Sequence, residues 1–294
     1  MSKSVISAFE LDALRRMLQV ATLDALMSTR RWAPGDVVFR GGTSLHLVHG
    51  SPCFSDDLDF LVRNDLDLTQ LGTKVYKRLE GISWIPAGKA ITVSRAKEAR
   101  NPHSFVVSVL GPSVIHSVKV KVELWRTPAA VLNAVETHVS PVRLPSGPGA
   151  GVQAFVPSLD LGEIYADKVF AIAARPVLKP RGVFDLHWLI RNARQGTCSV
   201  DAMRVRLESY PRQSPMGWLA SAHARREELL NAGARIARDL RRWLPSSWPL
   251  DAAIVKAMIE DSVTALDQGI SAMKELEDHE GGGGISPSAP GPVP

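Results

Sequence analysis

The 294-residue sequence contains only two cysteines, Cys53 and Cys198, and they lie far apart. A disulfide framework and a cysteine-rich zinc site are thereby excluded, which is typical of proteins of the reducing cytosol. The sequence also lacks the Gly-x-x-x-x-Gly-Lys-Ser/Thr loop, the His-Glu-x-x-His motif and the Gly-x-Ser-x-Gly elbow. The sequence therefore lacks the main motif that would indicate a P-loop hydrolase, a zinc protease or an α/β-hydrolase.

Long hydrophobic runs are missing as well. The first twenty residues are interrupted by charged residues, among them Glu10, Asp12, Arg15 and Arg16. This segment is therefore predicted to be neither a secretory leader nor a membrane span. Its apolar residues instead follow the spacing of an amphipathic helix. We expect a cytoplasmic protein with no membrane partner.

The composition changes along the chain and predicts its organisation. Residues 36–124 contain short apolar runs with strand character, residues 141–157 are rich in proline and glycine, and residues 159–274 have a helical pattern. The last residues contain four glycines followed by proline and serine, which cannot form a core. We predict three regions: a catalytic mixed-sheet domain over residues 1–150, a helical domain over 151–280 and a disordered tail over 281–294.

A glycine pair follows a short apolar segment. Residues 36–39 predict a buried strand, after which Gly41 and Gly42 allow the chain to turn sharply and approach a ligand closely. Thr43 or Ser44 is predicted to cap a helix, whose first N–H groups favour an anion such as a triphosphate. This turn is therefore our candidate for a phosphate-binding loop.

Two aspartates at alternate positions, Asp57 and Asp59, lie shortly after this turn. On a strand their side chains project to one face, while Leu58 and Phe60 enter the core. Neighbouring carboxylates repel each other, and a hard cation relieves the repulsion. Mg²⁺ (or Mn²⁺) held by carboxylates and substrate phosphates is the usual arrangement in phosphoryl-transfer sites. The pair therefore predicts a metal site for nucleotidyl transfer.

A third carboxylate is available in residues 118–124, where valines alternate with polar residues. Glu123 lies on the polar face of this predicted strand, together with Lys119 and Lys121. Because two-metal sites generally use a further acid, Glu123 is the candidate for the third carboxylate. The alternative is a half-exposed strand whose polar face is simply hydrated.

Three segments together resemble a known family. They are Gly41-Gly42-Thr43-Ser44-Leu45, then Phe54-Ser55-Asp56-Asp57-Leu58-Asp59-Phe60, then a helix with Glu163 and Lys168 followed by Arg181-Gly182-Val183-Phe184-Asp185-Leu186. Over about residues 36–190 the chain resembles the abortive-infection toxins of the AbiEii/AbiGii type. That family belongs to the DNA polymerase β-like nucleotidyltransferase superfamily and is similar to type IV toxins, including mycobacterial toxins that modify tRNA.

The resemblance implies roles for particular residues. Four residues carry catalysis: Asp57, Asp59, Lys168 and Asp185. The metal is held by Asp57 and Asp59, with Glu123 as the added candidate. The nucleotide is bound by Gly41, Gly42, Thr43, Ser44 and Ser55. Arg175 and Arg181 are possible substrate contacts.

The resemblance also implies a fold, an activity and partners. The expected fold is α+β, a polymerase β-like mixed sheet with flanking helices followed by a helical C-terminal domain. The expected activity is transfer of a nucleoside monophosphate from an NTP to tRNA, checked by an antitoxin encoded nearby. The alternatives are transfer to a protein or small-molecule hydroxyl, and a non-catalytic module that binds GTP or RNA.

Lys168 and Asp185 each have a second interpretation that requires no catalysis. Lys168 lies on a largely apolar helix face, from which it can reach phosphate oxygens or extend its ammonium into water. Asp185 lies in an apolar run, where a carboxylate requires a partner. A structural salt bridge to Lys168, Arg175 or Arg181 therefore competes with a role in the active site.

Positive charge is concentrated in residues 175–242, which contain fourteen Lys or Arg against six Asp or Glu. This region has a net charge of +8, whereas the whole chain has +5. One hypothesis is an RNA-backbone surface formed by Arg225, Arg226, Arg235, Arg238, Arg241 and Arg242. The alternative is a set of solvated helix faces paired with Glu227, Glu228 and Asp239.

Overall fold

The computed structural model describes residues 8–80, 90–94, 101–110, 118–143, 153–192, 198–210 and 213–281. The predicted disordered tail lies outside these ranges from residue 282 onward. The strands are β1 Val37–Arg40, β2 Leu58–Arg63, β3 Ala90–Val93, β4 His103–Leu110, β5 Val118–Thr127, β6 Thr137–Arg143 and β7 Gln153–Leu159. The helices are α1 Ala8–Met27, α2 Gly41–Leu47, α3 Leu71–Glu80, α4 Ala129–Ala134, α5 Leu161–Ala174, α6 Pro180–Asn192, α7 Val200–Ser209, α8 Pro215–Leu230, α9 Gly233–Leu240 and α10 Ala252–Gly281.

The strands form one mixed sheet in the order β3-β4-β5-β2-β1-β7-β6. The central strand β2 pairs antiparallel with β1 and parallel with β5. β1 also pairs parallel with β7, whereas the outer pairs β3/β4, β4/β5 and β6/β7 are antiparallel. The predicted mixed sheet with flanking helices is confirmed.

Both faces of the central strands are buried, because successive side chains on a strand point to opposite faces. Phe39 and Phe60 lie in the apolar cluster that includes α1 and α3, and their rings are 5.1 Å apart. Val38 and Leu61 lie instead in the cluster formed with α5 to α10. The sheet is therefore a layer between two sets of helices, and its second face is turned toward the helical half of the chain.

The predicted amphipathic helix near the N-terminus is α1, and its apolar stripe is fully incorporated in the core. Leu18, Ala21 and Leu26 have no solvent exposure. At the other end of the chain, the thirty-residue α10 packs against α5, α6, α7 and α8. Among the described residues, no helix combines the length and the apolar character needed to cross a membrane.

The strand β7 lies beyond the domain boundary predicted at residue 150. β7, residues 153–159, pairs with β1 and β6 and so belongs to the sheet rather than to the helical region. The change from sheet to helices falls at Asp160, whose side chain accepts a hydrogen bond from the Gly162 N–H and caps α5. The proline- and glycine-rich segment, residues 141–157, overlaps the end of β6 and most of β7, so its composition does not mark the end of the sheet.

A buried ionic network joins the sheet to the helices. Arg40, at the end of β1, lies 3.5 Å from Asp167 of α5. The other Asp167 oxygen accepts from Arg206 Nε at 3.0 Å, and Arg206 also contacts the Glu163 carboxylate at 2.5 Å. The Arg206 side chain is only 2% exposed. Buried charges are tolerated when they are paired in this way, and removal of one partner leaves the others without compensation.

Replacement of Arg206 by alanine is expected to lower the free energy of unfolding by about 3–5 kcal/mol, because Asp167 and Glu163 lose their shared cation. The control is Arg204→Ala on the same helix, which removes an exposed ion pair with Asp201 and should cost less than about 1 kcal/mol. Urea unfolding followed by circular dichroism measures both. Equal losses for the two variants would contradict the structural role of Arg206.

Candidate active site

The carboxylates predicted from the sequence lie on the sheet face that is turned toward the helical half. Asp59 on β2 is directly paired with Glu123 on the parallel strand β5. Asp57 immediately precedes β2, one alternation before Asp59, and Leu58 between them is fully buried on the opposite face. Strand alternation places the two aspartates together, and the register of β2 with β5 adds Glu123 to them.

The glycine pair at the start of α2 is packed tightly against this carboxylate face. Gly41 has a φ of +84°, and a Cβ atom there would lie 2.9 Å from Asp59 Oδ2. A Cβ atom on Gly42 would lie 3.1 Å from Ser55 Oγ and 3.9 Å from Lys168 Nζ. Glycine is therefore needed at residue 41 both for its backbone conformation and for the approach of Asp59.

The predicted capping role of Thr43 and Ser44 is wrong. α2 begins at Gly41, directly after β1, so that both residues lie inside the helix and are buried. The Thr43 hydroxyl donates a hydrogen bond to the Asp57 carbonyl. Ser44 Oγ is a buried atom without a hydrogen-bond partner among the described residues. Thr43 thus fixes the backbone at Asp57, and neither residue lines the cavity described below.

Two residues that the sequence did not indicate hold the segment before Asp57. Gln19 of α1 is 1% exposed, and its Nε2 donates to the carbonyls of Ser55 at 2.8 Å and Asp56 at 3.2 Å. On the other side, the Phe54 N–H donates to the Trp243 carbonyl at 2.7 Å. Because these contacts join distant parts of the chain, local spacing carried no sign of them.

Lys168 and Asp185 form an ion pair across α5 and α6. Lys168 Nζ lies 2.5 Å from Asp185 Oδ2, and the two side chains are 11% and 5% exposed. The salt bridge predicted as the competing explanation for Asp185 is therefore present. It does not exclude a role in the site, because both residues also line the cavity that contains the carboxylates. Asp185 orients the ammonium group on the wall opposite the sheet.

A cavity of about 280 Å³ brings these groups together. Nine of the residues predicted for the site line it: Gly42, Ser55, Asp57, Asp59, Glu123, Lys168, Arg175, Arg181 and Asp185. Gly41, Thr43 and Ser44 do not. Cys53, Phe54, Lys179 and Gly182 also line it and were not predicted as site residues. Lys179 could have been predicted as a site residue from the sequence, because it stands two residues before Arg181 in the basic region.

Two of the carboxyl groups in the cavity, those of Asp59 and Asp57, have raised pKa values. Burial raises the pKa of this carboxyl to about 6; Arg40 opposes the rise, and the carboxylates of Glu123 and Asp57 add to it. Burial and the proximity of Glu123 also raise the pKa of Asp57. Arg40 is buried, yet its neighbours Asp167, Tyr210 and Asp59 raise its pKa, so it remains a cation directly across the β1–β2 pair.

The donor set fits a hard divalent cation in its chemistry, since three carboxylates share one face and burial beside one another raises the pKa of Asp57 and of Asp59. In the part of the chain that the structure describes, no three His, Cys, Asp or Glu side chains are grouped to hold an ion. The Glu123 carboxylate is paired instead with Lys121. An ion at Asp57 and Asp59 would have to compete with Lys121 for the third acid.

A mixed sheet with a tight glycine turn against paired strand carboxylates, completed by a helical half, defines a nucleotidyltransferase fold of the DNA polymerase β type. The sequence profile described as "Nucleotidyl transferase AbiEii toxin, Type IV TA system" matches residues 25–256. The chain therefore belongs to the AbiEii family of nucleotidyltransferase toxins. The sequence matches no curated protein.

The solved structure of a toxin agrees with this fold. MenT4, a nucleotidyltransferase toxin from Mycobacterium tuberculosis, superposes with a TM-score of 0.52 at 18% identity, with 91% of each chain covered. JHP933 from Helicobacter pylori has a TM-score of 0.49 at 15% identity, over 94% of this chain and 97% of its own. At such identities the likeness to MenT4 concerns the fold alone.

The pKa of Asp59 leads to a pH-dependent prediction. Folding raises the pKa of the Asp59 carboxyl from 3.8 to about 6. At low pH the carboxyl is protonated in both the folded and the unfolded state, and it does not lower the free energy of unfolding. As the pH rises from about 4 to 6, the unfolded state loses this proton first, and the free energy of unfolding falls. Above pH 7 this loss in the free energy of unfolding reaches about 3 kcal/mol. In chelator-containing buffer, Asp59→Asn should therefore stabilise the protein at pH 7.5 and much less at pH 4.5. Thermal unfolding measures this difference.

A suitable control for this comparison is Asp65→Asn, because Asp65 is exposed and paired with Arg63 on the surface. It should not stabilise the protein at either pH. An equal effect of Asp59→Asn at the two pH values would show that the Asp59 carboxyl carries no excess charge repulsion in the folded state.

Proposed function

We propose that the protein transfers a nucleoside monophosphate from an NTP to a hydroxyl of tRNA, with release of pyrophosphate. The observation that carries this proposal is the single cavity in which Asp57, Asp59 and Glu123 face the Lys168–Asp185 pair. Carboxylates on one wall and a lysine on the other suit the two ends of a metal-bound triphosphate. Membership in the toxin family supports the same chemistry.

The residues of the cavity have different roles in this proposal, according to the wall on which they lie. Asp57 and Asp59, with Glu123, would hold Mg²⁺ or Mn²⁺, which supplies charge neutralisation at the phosphates and acidifies the attacking hydroxyl. Lys168, oriented by Asp185, contacts the phosphates that leave. Ser55 and the Gly42 backbone lie next to Lys168 and bind the triphosphate between the two walls.

Three further cations, Arg175, Lys179 and Arg181, line the same cavity. They add positive charge near the phosphates and the incoming acceptor. Arg181 is held in place by the Trp243 ring, which lies 3.8 Å from its guanidinium carbon. We place the reaction in the cytoplasm, where NTP and tRNA are both available, and we expect a cognate antitoxin to suppress it.

Replacement of Asp57 by asparagine should reduce transfer at least about 100-fold, because the site loses a charged ligand for the metal while the shape is kept. The assay incubates the protein with total tRNA, Mg²⁺ and each α-labelled NTP in turn, followed by separation of RNA from protein. The matched control is Asp56→Asn. The Asp56 carboxylate does not line the cavity and instead contacts Arg15 at 3.3 Å.

The location of the label distinguishes the alternatives. Label on RNA that is lost in Asp57→Asn and retained in Asp56→Asn supports the proposal and identifies the nucleotide. Label on protein would show that the acceptor is a protein and not tRNA. Complete absence of label with every NTP would contradict nucleotidyl transfer to RNA or protein.

A further inference from the structure

A second cavity, of about 550 Å³, adjoins the active site. The two share Lys179 and Arg181, at the start of α6, which line both. From there the second cavity extends along α9 to Arg242. We call it the α9 groove. Its position makes it a continuation of the site that holds the carboxylates.

The α9 groove is strongly basic. Five cations line it, namely Lys179, Arg181, Arg235, Arg238 and Arg242, against a single acid, Asp239. That acid is paired with Arg242. Lys179 and Arg238 are exposed, and neither has an ion pair within 4.0 Å in the part of the chain that the structure describes. The groove thus retains positive charge that the protein itself does not neutralise.

The structure narrows the basic surface suggested by the sequence. Arg225 is only 5% exposed, and its guanidinium contacts Glu228 and the Arg175 carbonyl. Arg226 is paired with Asp267, and Arg241 lines a different, mostly apolar cavity. Of the six predicted arginines, therefore, only three line this groove: Arg235 and Arg238, one turn apart on α9, and Arg242, which follows the end of that helix.

We propose that the α9 groove binds the phosphodiester backbone of the RNA acceptor and leads its reactive end to the carboxylates. This inference rests on the proposed function. Arg235 and Arg238 are separated by about 4.5 Å along α9, and Arg242 continues the row beyond the end of the helix, so the row extends past the ~3.4 Å rise per phosphate of a nucleic-acid strand and contacts successive phosphates. Guanidinium groups suit these contacts, because their planar donors match phosphate oxygens.

Two observations favour the acceptor over the nucleotide as the occupant. Among the described residues, Asp239 is the acid that lines the groove, and it is already paired with Arg242, so they offer no free carboxylate for the divalent ion that accompanies a triphosphate. In addition, the Trp243 carbonyl in the groove accepts from the Phe54 N–H in the active site. A strand held in the groove therefore lies directly beside the segment that carries Ser55 and Asp57.

The test measures binding of a fluorescently labelled tRNA transcript by anisotropy, with NTP omitted, across a range of salt concentrations. The double variant Arg238→Ala/Arg242→Ala should weaken binding about tenfold, and the slope of log K against log salt should fall by about 2. The matched control, Arg241→Ala, removes a neighbouring charge outside the groove and should bind like the wild type. NTP binding by calorimetry should be unchanged in all variants.

A loss of RNA affinity in the double variant, with unchanged affinity in Arg241→Ala, supports RNA binding in the α9 groove. Equal losses in the double variant and in Arg241→Ala would indicate unspecific charge attraction and overturn it, as would wild-type affinity in the double variant. If the wild-type protein does not bind the transcript, the groove is not an RNA site. Failure of nucleotidyl transfer is recognised separately, because it would appear in the labelling assay with RNA binding intact.

Discussion

The buried guanidinium of Arg40 is the contact on which the geometry of the site depends. It ends β1 directly opposite Asp59, donates to the Tyr210 hydroxyl at 2.5 Å and lies 3.5 Å from Asp167 of α5. One cation therefore limits the charge repulsion at Asp59 and joins the sheet to the helices. Since the desolvation cost of such a group is large, the network holds only while its partners stay in place.

This connection explains how the two walls of the cavity come to face each other. Asp167, bound by Arg40, precedes Lys168 on α5, so the contact that fixes Asp167 also fixes the rotation of the helix at Lys168. The lysine then meets Asp185 of α6 and lies beside the Gly42 backbone. α6 in turn begins at the cations shared with the α9 groove. The positions of the carboxylate face, of Lys168 and of the basic groove thus all depend on this contact between the sheet and the helices.

The parts that local pattern determines could be predicted from the sequence. Asp57 and Asp59 share a face because strand alternation is local, and the helical half was recognisable from its periodicity. The position of Glu123 beside Asp59 could not be predicted from spacing alone, because it depends on the register of β2 with β5. Arg40, Gln19 and Trp243 were not identified, because their contacts join residues remote in sequence. The capping role predicted for Thr43 and Ser44 was wrong because α2 begins earlier than the capping pattern suggests.

The most direct measurement is a crystal structure with Mn²⁺ and an NTP analogue that cannot be cleaved between the α- and β-phosphates. The carboxylate face should show an anomalous Mn²⁺ peak between Asp57 and Asp59, with the triphosphate against Lys168 and the α9 groove free of nucleotide. A nucleotide bound in the α9 groove, with no metal at the two aspartates, would contradict the assignment of this cavity as the nucleotidyl-transfer site.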